Sequence, residues 1–379
     1  MSVIGGEYME RQVDGRGAPL RLVVAGGGTG GHVFPGIAVV EALSEVSPVE
    51  VMWIGAGRPV EKEVLKDRPW RYRVLEVRPL LGVGGFGMAR SILGLPYHIS
   101  RSFVWLRDFR PDIVFGVGGY VSGPVLLAAR ILGMPTVLHE QNLVPGLANR
   151  IAARFVNAVL LSFEQAEMAF PKAKTVVTGN PVRPSLLFNY KEEARAAGAP
   201  LRLLIIGGSQ GARGLNRLAS SAVALLSKSG VRLEIMHQTG PVDLEAVRSL
   251  YDEVGVKAVV YPFINDMAMA YSWADLVVCR AGAGTIAELT ALGKPSVLIP
   301  YPAAADRHQD ANAKALADAG GAIYFCEEDI GAVKMASEIQ ALLEDQTSLK
   351  KMAEKAKEMG RPDAAKAIAS ILVDMAVKR

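Results

Sequence analysis

The chain has 379 residues, of which 50% are hydrophobic and 39 are glycine, and its net charge is +4. This length predicts two or three domains, and the apolar content excludes a disordered chain. Two cysteines exclude a disulfide scaffold, and the small net charge gives no reason to expect a nucleic-acid partner. No apolar run reaches the roughly 18 residues of a membrane span. Because Glu7 and Glu10 interrupt the start where a signal peptide is apolar, we expect a soluble or peripheral cytoplasmic protein.

Strands alternate with helices in the first half, which predicts an α/β unit with a parallel sheet. The apolar run Leu20–Ala25 reads as a buried strand and leads into GGGTGGH at 26–32. Pro35 suits a first helical turn, so we expect a helix from Pro35 to about Leu43. Further strands are predicted at 49–54, 113–115, 136–138 and 159–161.

The same pattern restarts about halfway along the chain. Leu201–Ile206 is a second buried strand, followed by GGSQGARG at 207–214 and a helix from about 215 to 226. This near-duplication predicts two similar α/β domains in tandem, joined by the proline-containing segment at 179–187. Later strands are predicted at 233–237, 258–261, 276–279 and 296–299, and a last helix at 364–377.

The loop at 26–32 contains glycines with the G-x-G-x-x-G spacing at Gly26, Gly28 and Gly31. Such a loop is either a tight turn or a nest of N–H groups that binds phosphate at a helix N-terminus. A dinucleotide site also needs a carboxylate about 20 positions later, and Ile54-Gly55 supplies none. NAD is therefore disfavoured. His32, at the mouth of the loop, is either structural or an acid–base group.

Two further segments follow predicted strands of the first half. GVGGYVSGP at 116–124 is either a plain turn or a surface where a ligand approaches the backbone. HEQN at 139–142 is either a capped helix start or a polar cluster at the carboxyl end of a strand, where open α/β sheets bind ligands.

In the second half, three segments suit a nucleotide sugar. GGSQGARG lacks the lysine of a Walker loop, and its Ser209 and Gln210 add side-chain donors. Glu288 lies early in a helix after the predicted strand at 276–279; it faces solvent or accepts hydrogen bonds from both ribose hydroxyls. Gln309 can donate to and accept from a sugar hydroxyl, while Asp306 beside it caps a helix or takes part in the site. No Asp-x-Asp, H-E-x-x-H or C-x-x-C sequence predicts a metal.

The segment 79–109 is apolar and interleaved with arginines. It is either a core helix or a patch that dips into an anionic bilayer. The residues expected to enter the bilayer are Leu80, Leu81, Phe86 and Trp105.

Taken in order, GGTGGH, GVGGYVSGP, HEQN, GNPVR, GGSQGA, RAGAGT-x-x-E and D-x-x-Q-x-x-N-A resemble the MurG family of glycosyltransferases over about residues 20–375. The resemblance implies an α/β chain of the GT-B fold, in which two Rossmann-like domains with parallel sheets face a cleft. It implies an N-terminal acceptor and membrane domain at 1–182, a UDP-sugar domain at 183–362, and a terminal helix at 363–379 that returns to the first domain.

The resemblance also implies the reaction. An inverting enzyme without cofactor or metal would move N-acetylglucosamine from UDP-N-acetylglucosamine to the 4-hydroxyl of undecaprenyl-pyrophosphoryl-N-acetylmuramyl-pentapeptide, for peptidoglycan synthesis. It would work at the cytoplasmic face of the bacterial membrane, on an anionic surface, with other cell-wall synthesis proteins as possible partners.

The implied residue roles fall into three groups. The acceptor would be bound by Gly28, Gly31, Gly118, Gly119 and Tyr120. The donor would be bound by Thr29, Gly30, Asn142, Arg183, Ser209, Gln210, Gly211, Ile264, Arg280, Glu288, His308 and Gln309. The base candidates are His32, His139 and Glu140, and the resemblance does not choose among them.

One departure concerns His308, because some family members carry a second glutamine there. The alternatives are another GT-B enzyme, such as a UDP-N-acetylglucosamine epimerase or a glycolipid synthase, an NAD-dependent dehydrogenase, or a non-catalytic scaffold. An epimerase needs no membrane patch, and a scaffold need not retain Glu288, Gln309, His32 and Asn142.

Overall fold

The computed structural model describes residues 19–77, 84–193, 195–196, 198–208 and 211–377; it does not describe the side chains of residues 84–90, 92 and 343. The described chain divides into two units. The first is Met1–Pro184 with Asp363–Arg379, and the second is Ser185–Pro362.

The first unit contains a seven-stranded parallel sheet in the order β3-β2-β1-β4-β5-β6-β7. Apart from the added β7 this is the Rossmann order, with β1 and β4 at the point where the direction of winding reverses. The strands are β1 (Leu20–Ala25), β2 (Val49–Gly55), β3 (Arg71–Val74), β4 (Ile113–Gly116), β5 (Thr136–Glu140), β6 (Ala158–Leu161) and β7 (Thr175–Val177).

Helices cover both faces of this sheet, because alternate residues of its strands enter different cores. Leu22 and Val24 of β1 pack in one cluster, and Val23 and Ala25 pack in the other. A strand buried on both faces reads as a continuous apolar run, as Leu20–Ala25 does. The helices are α1 (Gly30–Val46), α2 (Pro59–Leu65), α3 (Gly84–Phe109), α4 (Ser122–Ile131) and α5 (Leu147–Ala152), with a 3₁₀ turn at Glu164–Ala169.

The second unit repeats the Rossmann order in a six-stranded parallel sheet, β10-β9-β8-β11-β12-β13. The strands are β8 (Leu201–Ile206), β9 (Leu233–Gln238), β10 (Lys257–Tyr261), β11 (Leu276–Cys279), β12 (Ser296–Leu298) and β13 (Ala322–Tyr324). The helices are α6 (Pro184–Asn189), α7 (Arg213–Lys228), α8 (Leu244–Glu253), α9 (Met267–Trp273), α10 (Ala283–Leu292), α11 (His308–Asp318), α12 (Ala332–Glu344) and α13 (Gln346–Met359).

The last helix, α14 (Ala364–Val377), belongs to the first unit. It packs against α1 and buries Ile368 and Leu372 beside Trp53 of β2. Among the described residues, no helix is both long enough and apolar enough to cross a bilayer.

Two boundaries predicted beside the motifs at 26–32 and 139–142 were wrong. The first helix begins at Gly30 and not at Pro35, which lies inside α1. Pro35 is the sixth residue of α1, past the first turn where proline is best tolerated, and it removes one N–H from the helical ladder. The strand predicted at 136–138 continues through Glu140, and all five residues of β5 are buried. His139 and Glu140 are therefore strand residues and do not belong to the loop.

Candidate active site

Two glycine-rich loops of the first unit touch through their backbones. Gly118 and Gly119, after β4, have φ of +93° and +77°, which favours glycine. A Cβ at Gly119 would lie 2.7 Å from the carbonyl oxygen of Gly27 in the β1–α1 loop. Ser122 ties the loops together, because its Oγ lies 2.6 Å from Ala25 O and 2.8 Å from Gly118 O. The carboxyl ends of β1 and β4 therefore form one surface made largely of backbone.

His32 lies in the first turn of α1 and borders this surface. Its Nδ1 is 3.3 Å from Thr29 Oγ1. A Cβ at Gly118 would lie 2.7 Å from Cδ2 and 3.0 Å from Nε2 of the His32 ring. The absence of a side chain at Gly118 therefore makes space for the imidazole. The half-buried imidazole can meet a ligand placed over the two loops.

His139 is fully buried, and both ring nitrogens have partners. Its Nε2 donates to Gly179 O at 3.1 Å, and its Nδ1 accepts from Gln141 Nε2 at 3.1 Å. Burial lowers the pKa of His139 to about 4, because a charged imidazolium loses its hydration there. The ring is a neutral part of the framework at physiological pH.

Glu140 is also buried, and its carboxylate holds the chain after β5 in place. It accepts from Asn142 N at 2.9 Å and from Asn149 Nδ2 at 2.8 Å. Burial raises the pKa of Glu140 above its ordinary value. Of the three base candidates, His32 is the one whose ring is partly exposed.

Other predicted residues of the first unit lie around the same loops. Thr29 is the exposed N-cap residue of α1, and Gly30 and Gly31 form the start of that helix. Tyr120 is half-buried before α4. Arg183 lies in this unit, with its guanidinium carbon 5.2 Å from the ring centre of Phe34.

In the second unit, the glycine-rich loop after β8 is fixed by a residue that sequence reasoning missed. Gln238, at the end of β9, donates to Gly208 O at 2.8 Å and accepts from Ile264 N at 3.0 Å. Gly211 has φ of +76°, and a Cβ there would overlap the carbonyl of Thr239. The carboxyl ends of β8, β9 and β10 are thereby tied together.

Glu288 and Arg280 follow β11. Glu288 is half-buried in the second turn of α10, and its Oε2 accepts from Tyr271 OH at 2.9 Å. Arg280 is buried, donates to Ile299 O at 3.1 Å and Pro300 O at 2.9 Å, and forms an ion pair with Glu327. Arg280 therefore braces the loop after β12, whereas Glu288 presents a carboxylate.

His308 and Gln309 begin α11 after a strained turn. Asp306 and Arg307 both have φ of +49°, a conformation that non-glycine residues rarely adopt. Gln309 Oε1 accepts from Tyr301 N at 3.0 Å, so the amide is oriented with its oxygen toward that N–H. His308 Nδ1 donates to Ala305 O at 2.7 Å.

Several predicted residues are not described. Ser209, Gln210, Leu80 and Leu81, and the side chain of Phe86, lie outside the described residues. Trp105 is half-buried on α3, with the guanidinium carbon of Arg101 5.0 Å from its ring centre.

Comparison with known proteins shows the family. The model for the glycosyltransferase family 28 N-terminal domain matches residues 22–161, and that for the C-terminal domain matches residues 202–368. A Myxococcus xanthus protein is 42% identical over 360 residues, which cover 95% of this chain and 94% of the relative. Its name is UDP-N-acetylglucosamine–N-acetylmuramyl-(pentapeptide) pyrophosphoryl-undecaprenol N-acetylglucosamine transferase. This chain belongs to the MurG family of glycosyltransferases.

Solved structures agree with this assignment. The crystal structure of Acinetobacter baumannii MurG has a TM-score of 0.76 and 33% identity, and covers 93% of this chain and 99% of that one. The predicted α/β class with two Rossmann-like domains is confirmed. A Neisseria meningitidis UDP-GlcNAc 2-epimerase, solved with UDP-GlcNAc, has a TM-score of 0.67 and 16% identity over 95% of this chain and 100% of that one. That likeness concerns the fold alone.

Proposed function

We propose that this MurG-family enzyme transfers N-acetylglucosamine from UDP-N-acetylglucosamine to the 4-hydroxyl of lipid-linked N-acetylmuramyl-pentapeptide. The observation that carries the proposal is the 42% identity to a relative named for this reaction, over 94% of its length. The epimerase alternative has fold similarity in its favour and only 16% identity.

The second unit supplies most of the donor contacts in this proposal. Glu288 accepts hydrogen bonds from the two ribose hydroxyls, since a carboxylate has two acceptor oxygens. The amino group of Gln309 donates to the sugar, because its carbonyl oxygen already accepts from Tyr301 N. The glycine-rich loop and the N-terminus of α7 face the diphosphate, where aligned N–H groups favour negative charge.

The first unit binds the acceptor and begins the reaction. The N-termini of α1 and α4 attract its diphosphate, and His32 removes the proton of the attacking hydroxyl. The new bond forms at the anomeric carbon as the bond from that carbon to UDP breaks. The electron pair of the breaking bond goes to the diphosphate, so N–H donors that face this group stabilise the transition state more than the ground state. Attack from the opposite face inverts the configuration from α to β.

Release of UDP from UDP-N-acetylglucosamine tests the proposal. We expect release only when the lipid-linked acceptor is present, with a β-1,4-linked disaccharide as product. Acceptor-independent release would support an epimerase or a hydrolase, and tight donor binding without release would support a scaffold.

We also propose that α3 rests on the anionic cytoplasmic surface of the membrane. Leu93, Tyr97 and Val104 are 80%, 59% and 61% exposed, although they are apolar or aromatic. Their spacing keeps them near one face of a helix, and Arg101 and Arg107 lie on the same helix, also exposed. Apolar side chains interleaved with arginine suit the headgroup boundary of anionic lipid.

Charged substitutions on α3 test this membrane contact. We expect the double variant Leu93→Glu, Val104→Glu to lose most of its cosedimentation with vesicles that contain phosphatidylglycerol, because carboxylates are repelled there. Val46→Glu is the matched control, since Val46 is 60% exposed at the end of α1. Equal vesicle binding by the double variant and the wild type would refute the contact.

A further inference from the structure

The Glu61 carboxylate lies against the glycine-rich loop between β1 and α1, although it comes from α2. Its Oε1 accepts from Gly28 N at 2.6 Å, and its Oε2 accepts from Gly57 N at 3.0 Å and from Tyr72 OH at 2.8 Å. The residue is fully buried. All three donors are neutral, and together they join the loops that follow β1 and β2 to strand β3.

Two glycines make room for this carboxylate. A Cβ at Gly27 would overlap Oε1 of Glu61, and a Cβ at Gly55 would overlap its Oε2. The carboxylate therefore fills the space between the β1–α1 loop and the end of β2. In a nucleotide-binding Rossmann domain, the ligand's phosphate and ribose occupy this region. In this unit a side chain of the protein occupies it.

We infer that Glu61 is a positioning residue for the acceptor half of the reaction, an inference that rests on the proposed function. By accepting from Gly28 N, it holds Gly28 at φ of +97° and fixes the turn that leads into α1. His32 lies four residues after Gly28, so the same contact sets the position of its ring. Since Gly28 N already donates to Glu61, the acceptor's diphosphate must be bound by the N–H groups at the starts of α1 and α4.

A glutamine cannot replace this carboxylate without loss. An ionised carboxylate only accepts hydrogen bonds, whereas an amide presents both an oxygen and an amino group. Whichever way the amide is oriented, its amino group faces the N–H of Gly28 or of Gly57. Glu61→Gln should therefore shift the loop while nearly preserving the volume of the side chain.

Steady-state kinetics on the acceptor and titration with UDP measure that shift. We expect Glu61→Gln to lower kcat/KM for the acceptor by about tenfold to a hundredfold, the cost of misplacing reacting groups by about 1 Å. The Kd for UDP should be unchanged, because Glu288, which is proposed to hold the ribose, lies in the other unit. Glu63→Gln is the matched control, since Glu63 is exposed on the same helix and pairs with Lys66 at 2.6 Å. Tyr72→Phe removes one donor and should give a smaller loss in the same direction.

Two further measurements separate positioning from general stability. Acetate should partly restore kcat/KM of Glu61→Ala by entering the vacated space, and should not change Glu63→Ala. Hydrogen exchange over residues 26–32 should be faster in Glu61→Gln than in the wild type. Wild-type acceptor kinetics in Glu61→Gln and Tyr72→Phe, or an equal weakening of UDP binding, would overturn the inference. If the wild-type protein shows no acceptor-dependent transfer, the proposed function is refuted. Hydrogen exchange over residues 26–32 would still measure the effect of the Glu61 contacts in that case.

Discussion

His32→Ala should lower kcat for acceptor-dependent transfer by about 10²- to 10⁴-fold, the range for losing a general base. The attacking hydroxyl must lose its proton as the new bond forms, and the imidazole of His32 borders the surface proposed for the acceptor. Single-turnover transfer with a detergent-solubilised acceptor measures this loss without a contribution from membrane binding. UDP affinity should be unchanged, because Glu288, which is proposed to hold the ribose, lies in the second unit.

The structure separates His32 from the other base candidates. His139 has both nitrogens engaged, and Glu140 is buried with two asparagines against its carboxylate. Substituting either should reduce stability together with activity, since each would leave buried polar groups without partners. His98→Ala, on α3, is the histidine control and should retain full kcat in detergent. A His32→Ala enzyme with near wild-type kcat would remove His32 as the base.

The parts of the fold that sequence predicted best are strands with two buried faces. Leu20–Ala25, Leu201–Ile206 and Leu276–Cys279 are continuous apolar runs before glycine-rich turns, and the structure has these bounds. Three strands not predicted from sequence lie at sheet edges. β3 reads RYRV and is largely exposed, and β7 and β13 have three residues each. Such segments gain their structure from a neighbouring strand, so their own pattern is weak.

In the candidate site, too, the sequence predicted residues that follow a strand closely and missed a residue whose contact is distant in the sequence. The two glycine loops, Glu288 and Gln309 were found because each follows a strand closely in the sequence. Glu61 was not, since its contact with Gly28 joins residues 33 apart. Sequence reasoning sought a carboxylate at the end of β2, as in dinucleotide sites, and found Ile54-Gly55. The carboxylate that reaches this region comes from the next helix, and no spacing rule predicts that.

Glu288→Ala should raise the Kd for UDP by about 10²-fold or more, because hydrogen bonds to a charged group contribute about 1.5–3 kcal/mol each. Two ribose hydroxyls donate to this carboxylate in the proposed complex. Tyr271 OH also donates to it, so the substitution leaves that hydroxyl without this acceptor. Isothermal titration with UDP measures the loss, and kcat at saturating donor should change far less than in His32→Ala. Glu245→Ala, an exposed carboxylate on α8 of the same unit, should bind UDP as the wild type does.

The proposed contact between Glu288 and the ribose can be tested more directly by changing the ligand together with the protein. If Glu288 accepts from the 2′-hydroxyl, 2′-deoxy-UDP should bind the wild type more weakly than UDP does. Glu288→Ala should bind the two ligands equally, because the group that distinguishes them is gone. This double-mutant logic assigns the interaction to one pair of groups and removes general effects of the substitution. An equal preference for UDP over 2′-deoxy-UDP in both proteins would place the ribose contact elsewhere, and would leave Glu288 as the partner of Tyr271 in packing α9 against α10.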